Sequence, residues 1–420
     1  MPRRVLVVDD EEKIRASLRG VLSDEGFEVE LAADGRRALE HLAIATPDLV
    51  LLDVWLPEID GLTLLERLRE DHPTLPVIII CGHANIEAAV RATRLGAADF
   101  IEKPFSIDAL LASIDRALGR DAGAGQIEPA PPHRVESGAG AGVVQRTICR
   151  SVTAAGQGLH TGIRTGIILH PLPPGSGIVF QSLSSEKTVP AHVDFADSTG
   201  YATTLYRGGF GAKTVEHLLA AASGFGITNL LVKMETEVPI LDGSALPFCD
   251  LFAGAGIEEQ PGDLVAACRI ERRHEIRDGL NHLVVEPSEH LIVDYTLDYP
   301  EPVGRQRYVY EHRGPESFRA EIAPARTFGF VHEFRQLASV GLAAGGRLDN
   351  CVLIGDDGVI NGELRFPDEF VRHKILDLLG DFSLLGMPLV GRVTAIATGH
   401  RHNVRMVREL LADQGACAAG

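Results

Sequence analysis

Between residues 119 and 142 the sequence stops supplying the apolar side chains that a folded core needs. It runs through Asp121-Ala122-Gly123-Ala124-Gly125, Pro129-Ala130-Pro131-Pro132 and Gly138-Ala139-Gly140-Ala141-Gly142. With so little to bury, the stretch predicts a flexible linker. The 420-residue chain therefore reads as two bodies, 1–118 and 146–420, joined by a tether at 119–145. Its length suits that division, since folded domains ordinarily take roughly 100 to 200 residues each.

In the first body, short apolar runs at 5–8, 49–52 and 77–80 alternate with helical patterns at 14–22 and 61–68. Runs that are apolar on both faces belong to a parallel sheet covered by helices on both sides, so a doubly wound α/β domain is expected. Ligands of such sheets sit beyond the carboxyl ends of the strands. Here the first run ends at Asp9-Asp10 and the second at Asp53, and three carboxylates brought together would raise at least one pKa sharply without a cation. Their hard oxygens suit Mg²⁺. Lys103, just after Phe100-Ile101, is placed to reach the same point and hold a phosphoryl oxygen. Taken singly, each of these acids reads equally well as a solvated loop residue.

Together, Val5-Leu6-Val7-Val8-Asp9-Asp10, Leu52-Asp53, Pro57, Asp60-Gly61 and Lys103-Pro104 resemble the response-regulator receiver family. The resemblance implies that Asp53 accepts phosphate from a histidine kinase, that Asp9 and Asp10 help it hold Mg²⁺, that Lys103 senses the phosphoryl group, and that Phe100 is the switch aromatic. Cys81 stands where such domains carry a Ser or Thr hydroxyl, and a thiol is a weaker donor. The resemblance thus implies a phosphorylatable Asp53 with a weakened conformational response. A receiver that serves only for docking is the alternative.

In the second body, β-branched and apolar runs at 166–169, 230–234, 291–293 and 393–397 mix with helical segments at 215–222 and 370–379, without regular alternation. An α+β fold is expected. Within the second helical segment His373 and Asp377 are four apart and project from one face, a two-ligand half-site for zinc. Taken in isolation, such a pair is more often a helix-surface contact. A catalytic zinc needs a third protein ligand and an open position, and His217 is the best candidate; Glu216 beside it would be free to act as a carboxylate base. No His-Glu-x-x-His is present, which disfavours the common metalloprotease arrangement.

Six separated motifs then occur in order: Gly156-Gln157-Gly158-Leu159-His160-Thr161-Gly162, Thr214-Val215-Glu216-His217-Leu218, Pro239-Ile240-Leu241-Asp242-Gly243-Ser244, Ala325-Arg326-Thr327-Phe328-Gly329-Phe330, Phe370-Val371-Arg372-His373-Lys374 and Gly399-His400. They resemble the UDP-3-O-acyl-N-acetylglucosamine deacetylase family over about 147–411. The resemblance implies two similarly folded α+β halves with the site between them, zinc on His217, His373 and Asp377, and Glu216 as general base. It further implies that His400 stabilises developing charge and protonates the leaving amine, that Asp381 orients His400, and that Thr327 donates to the oxyanion. Lys374 and Phe328 match positions that contact a UDP-linked acylated N-acetylglucosamine. His160 stays outside the catalytic set, because its flanking glycines fit a tight turn equally well.

The implied reaction is zinc-dependent hydrolysis of the N-acetyl group in lipid A biosynthesis, releasing acetate. The alternative is a non-catalytic nucleotide-sugar sensor acting as the output of a response regulator; the intact set Glu216, His217, His373, Asp377 and His400 argues against it.

Bulk properties narrow the setting. A net charge of -18 opposes a nucleic-acid partner. No stretch approaches the ~20 apolar residues of a transmembrane helix. Met1-Pro2-Arg3-Arg4 is followed by too short an apolar run for a secretory signal, so the cytoplasm is the expected compartment. The six cysteines include no Cys-x-x-Cys pair and are expected to be reduced thiols.

Overall fold

The computed structural model of the protein describes residues 3–82, 91–92, 95–103, 107–118, 142–198, 201–262, 264–332 and 345–417. The expected linker falls almost wholly outside them, as does Pro104 of the Lys103-Pro104 motif. The chain forms two compact units, one comprising Met1–Ile127 with Gln181–Glu186, the other Glu128–Phe180 with Lys187–Gly420. Among the described residues, no helix is long and apolar enough to cross a membrane.

The first unit contains the expected doubly wound sheet. Strands β1 (Arg4–Val8), β2 (Glu28–Ala32), β3 (Leu49–Asp53), β4 (Val77–Gly82) and β5 (Asp99–Lys103) lie in the order β2-β1-β3-β4-β5, all parallel. Every residue of β3 is buried, which explains why the run is apolar until it reaches Asp53 at its tip. Helices Gly35–Ile44 and Gly61–Asp71 start where Asp34 and Asp60 accept hydrogen bonds from backbone N–H groups of their first turns. Gly61 is a steric requirement: a Cβ there would lie 2.0 Å from the Asp53 carbonyl oxygen. The Asp60-Gly61 pair thus both caps a helix and lets it close on the strand that ends in Asp53.

The second unit is α+β, as expected. One half carries a five-stranded sheet that includes antiparallel Val152–Gln157, Arg164–Pro171 and Leu230–Met234. The other carries His274–Asp278, Asn281–Glu286, Arg392–Ile396, Ile292–Asp298 and Arg305–Glu311 in that spatial order. A single apolar core runs through both halves, with Phe180, Phe248, Tyr295, Tyr310 and Phe318 among its largest fully buried side chains.

Two helices meet at the centre of this core, Glu216–Gly224 from the first half and Glu369–Phe382 from the second. Glu369, His373, Asp377 and Asp381 recur every four residues, so they form one stripe along the second helix. All four are buried. Charged groups in such a place are costly unless paired, so the partners of this stripe define the interior of the unit.

Candidate functional site

Each member of the stripe has its partner. Glu369 accepts bonds from the Arg326 backbone N–H (3.0 Å) and Nε (2.8 Å), and from the Arg365 N–H (2.6 Å). This ties the start of the helix to the segment leading into Thr327. The Nδ1 of His373 donates to the Ala325 carbonyl (3.1 Å), which leaves Nε2 as the ring's lone-pair atom. That Nε2 lies 3.3 Å from Oδ1 of Asp377, and Nε2 of His217 lies 3.6 Å from the same oxygen. The two imidazoles stand edge to face with centroids 5.0 Å apart.

One ligand atom from each of His217, His373 and Asp377 falls within 4.8 Å of the other two, so three residues far apart in sequence converge. Burial would push the Asp377 carboxyl up, but Lys374 and the two histidines hold it well below the usual range. Burial pushes the His217 imidazole down, toward its neutral form. Two imidazoles and a carboxylate are the donor set of a zinc site, and the orientation of His373 by a backbone carbonyl is what such a site requires. The residues present therefore fit the metal.

Glu216 is the residue before His217, in the first turn of its helix, and its Oε2 accepts the Thr203 N–H (3.1 Å). Burial pushes its carboxyl up to about 7. Across from it, Asp381 accepts from His400 Nδ1 (2.8 Å), Asn403 Nδ2 (2.9 Å) and Thr203 Oγ1 (2.5 Å). Burial opposes the His400 cation, but the Asp381 carboxylate raises its pKa to about 9. The expected Asp381–His400 pairing is thus present.

Thr327 begins the strand edge at Phe328–Phe330, its N–H donating to the Gly243 carbonyl (2.7 Å). The Phe328 ring lies 6.1 Å from the His373 ring and 4.8 Å from that of Phe370. Lys374 Nζ stands 5.9 Å from the Phe328 centroid and donates to Asp377 Oδ2 (2.7 Å). Both residues therefore border the cluster.

Thr203 and Asn403 escaped the sequence reading. Asn403 lies one helical turn past His400 and could have been found by that spacing. Thr203 carries no such signal, since its link to Asp381 is made wholly by tertiary packing.

In the first unit, Asp9, Asp10 and Asp53 bring ligand oxygens within 4.8 Å of one another, with Asp10 exposed and the others buried. Lys103 Nζ bridges Asp9 (2.7 Å) and Asp53 (2.5 Å). Burial raises the Asp53 carboxyl, partly offset by Lys103. Three hard oxygen donors with one facing solvent fit Mg²⁺. Cys81 and Phe100 are buried on β4 and β5.

An α+β body that gathers two histidines and an aspartate beside a buried carboxylate and an Asp–His pair has the build of a metal-dependent amide hydrolase, here joined to an open parallel sheet with an acidic tip. The chain belongs to the UDP-3-O-acyl N-acetylglycosamine deacetylase family, whose model matches residues 145–412, and carries a response regulator receiver domain at 5–115.

The UDP-3-O-acyl-N-acetylglucosamine deacetylase of Myxococcus xanthus is 42% identical over 275 residues, 64% of this chain and 87% of that protein. That of a Nitratiruptor species is 42% identical over 270 residues, 64% of this chain and 90% of its own. The solved receiver domain of NtrX from Brucella abortus is 51% identical over 27% of this chain and 98% of that one, with a TM-score of 0.27. The protein is thus an enzyme of the deacetylase family, which is zinc-dependent and takes a UDP-sugar in lipid A biosynthesis. Receiver domains use Mg²⁺ and pair with histidine kinases.

Proposed function

We propose that the second unit removes the N-acetyl group of UDP-3-O-acyl-N-acetylglucosamine at the site made by Glu216, His217, His373, Asp377 and His400, with zinc held by His217, His373 and Asp377. The observation that carries this reading is the convergence of those three ligand atoms, with buried Glu216 next to His217 in the chain and buried His400 held by Asp381, one turn past Asp377 on the same helix. When bound, zinc supplies Lewis acidity to water and to the amide carbonyl.

Glu216 takes the proton of the attacking water, its carboxylate steadied by the Thr203 N–H. The Thr327 hydroxyl donates to the oxygen of the former carbonyl as negative charge grows there. His400 enters as the cation, stabilises that charge and passes its Nε2 proton to the departing amine; Asp381 fixes its tautomer through Nδ1. The C–N bond breaks, and acetate and a free 2-amino sugar leave. Lys374 and Phe328 flank the nucleotide sugar.

In the first unit, Asp53 accepts a phosphoryl group from a histidine kinase with Mg²⁺ held by Asp9, Asp10 and Asp53, and Lys103 shifts from the carboxylates to the phosphoryl oxygens. The protein works in the cytoplasm, where UDP-sugars and kinases meet it.

The test is zinc content and acetate release from UDP-3-O-acyl-N-acetylglucosamine, compared between the native chain and the Glu216→Ala and His217→Ala variants. Zinc-dependent release lost in both supports the reading. Substrate bound without turnover by the zinc-loaded native chain overturns it in favour of a sensor.

A further inference from the structure

The glycine-rich turn at 156–162 has no part in the chemistry above, yet it is held by a buried charge. Glu237 has no solvent exposure. One carboxylate oxygen accepts the His160 N–H (2.9 Å) and the Thr214 hydroxyl (2.9 Å); the other accepts the Thr161 N–H (3.0 Å) and hydroxyl (2.6 Å). Burial pushes the Glu237 carboxyl up, but these donors hold it below the usual range, so it stays ionised. Gly158 makes room for it, since a Cβ there would lie 2.2 Å from Oε2.

At the other end of this clamp, Thr214 has φ +56°, a left-handed conformation in which a β-branched residue is strained. Its neighbour Lys213 is tied to the same segment in both directions, its N–H to the Thr236 carbonyl (3.0 Å) and its carbonyl to the Val238 N–H (3.0 Å). Val215 then caps the helix with no side-chain hydrogen bond of its own, and the next two residues are Glu216 and His217. The first turn that carries base and ligand is therefore oriented by the Thr214 backbone and not by a cap.

We infer that Glu237 is a positioning residue: through Thr214 it sets the direction in which Glu216 and His217 enter the site, and through His160 and Thr161 it anchors that turn to the 156–162 loop. This rests on the metal role assigned to His217.

The experiment compares the full-length chain with Glu237→Gln, Thr214→Gly and the Glu237→Gln/Thr214→Gly double variant, reading zinc affinity by chelator competition together with kcat and KM. Loss of the clamp weakens zinc binding by at least about tenfold and lowers kcat more than it raises KM, in the range found when groups that orient metal ligands are removed. Glycine adopts the left-handed conformation without strain, so the double variant recovers zinc affinity and kcat to the level of Thr214→Gly alone. Native zinc affinity and kcat in Glu237→Gln, or no recovery in the double variant, overturns the inference. Should Glu237→Gln fail to fold, Thr161→Ala decides by the same readings: weakened zinc affinity that Thr161→Ser restores supports it, and unchanged affinity overturns it. A native chain that binds no zinc would instead overturn the assignment of His217.

Discussion

Gly380 lies directly against Glu216: a Cβ on the glycine would stand 2.1 Å from the Glu216 carbonyl oxygen. Here the helix that carries His373, Asp377 and Asp381 comes against the backbone of the helix that carries Glu216 and His217. The approach that closes the metal cluster thus depends on a missing side chain. Gly380→Ala forces the helices apart and costs about 3 kcal/mol, which differential scanning calorimetry reads as a lower Tm and chelator competition as weaker zinc binding. An unchanged Tm with native zinc affinity would show that the contact does not hold the site together.

Glu216→Gln keeps the shape of the side chain and leaves all three expected ligands in place. Zinc content stays native while kcat falls about 10²- to 10⁴-fold, the ordinary worth of a general base. His217→Ala loses zinc and activity together. Metal analysis beside steady-state kinetics separates the two, and equal zinc loss in both variants would deny Glu216 a chemical role.

In the proposed mechanism His400 sets the alkaline limit of the rate. Burial disfavours its cation, but the bond to Asp381 raises its pKa to about 9, so it is protonated at neutral pH and loses its proton as pH rises through that value. The kcat profile therefore falls above about pH 9. In Asp381→Asn burial is unopposed by that carboxylate, and the limb moves toward or below the ordinary histidine value of about 6.5. The stability linked to this group has the same sign: it is fully present below about 6.5 and disappears as pH rises through the folded-state value. An alkaline limb that stays in place in Asp381→Asn would assign it to another group.

Trp55, the chain's only tryptophan, is 60% exposed, and its backbone N–H donates to Asp53 Oδ1 (2.9 Å). Its fluorescence reports on the acidic tip. With Mg²⁺ and acetyl phosphate, Cys81→Thr gives a larger emission change than the native chain, because a hydroxyl replaces a weak thiol donor. Equal changes at equal Asp53 phosphorylation would make Cys81 irrelevant to the response. Acetate release measured before and after phosphorylation then separates control from docking, with unchanged kinetics at full phosphorylation favouring docking.

What the sequence could show depended on the range of the signal. The pair His373 and Asp377 was legible because four residues return a helix to the same face, and β1 and β3 were legible because strands covered on both sides must be apolar until their tips. His217 was a candidate ligand by its chemistry beside Glu216, but only six motifs in a family order tied it and His400 to the helix they face, since nothing local joins them to it.

Tertiary structure alone decided the rest. Thr203 reaches both Glu216 and Asp381, and Glu237 reaches both Thr161 and Thr214, across separations that no periodicity spans. The sequence by itself determined which segments become helix and strand and which residues have metal-binding chemistry, because those properties belong to short windows and to single side chains. It did not determine that Gly380 meets Glu216 or that Glu237 is charged at full burial. Close approach and the pairing of a buried charge are properties of two chain segments brought together, and they exist only once the core has packed.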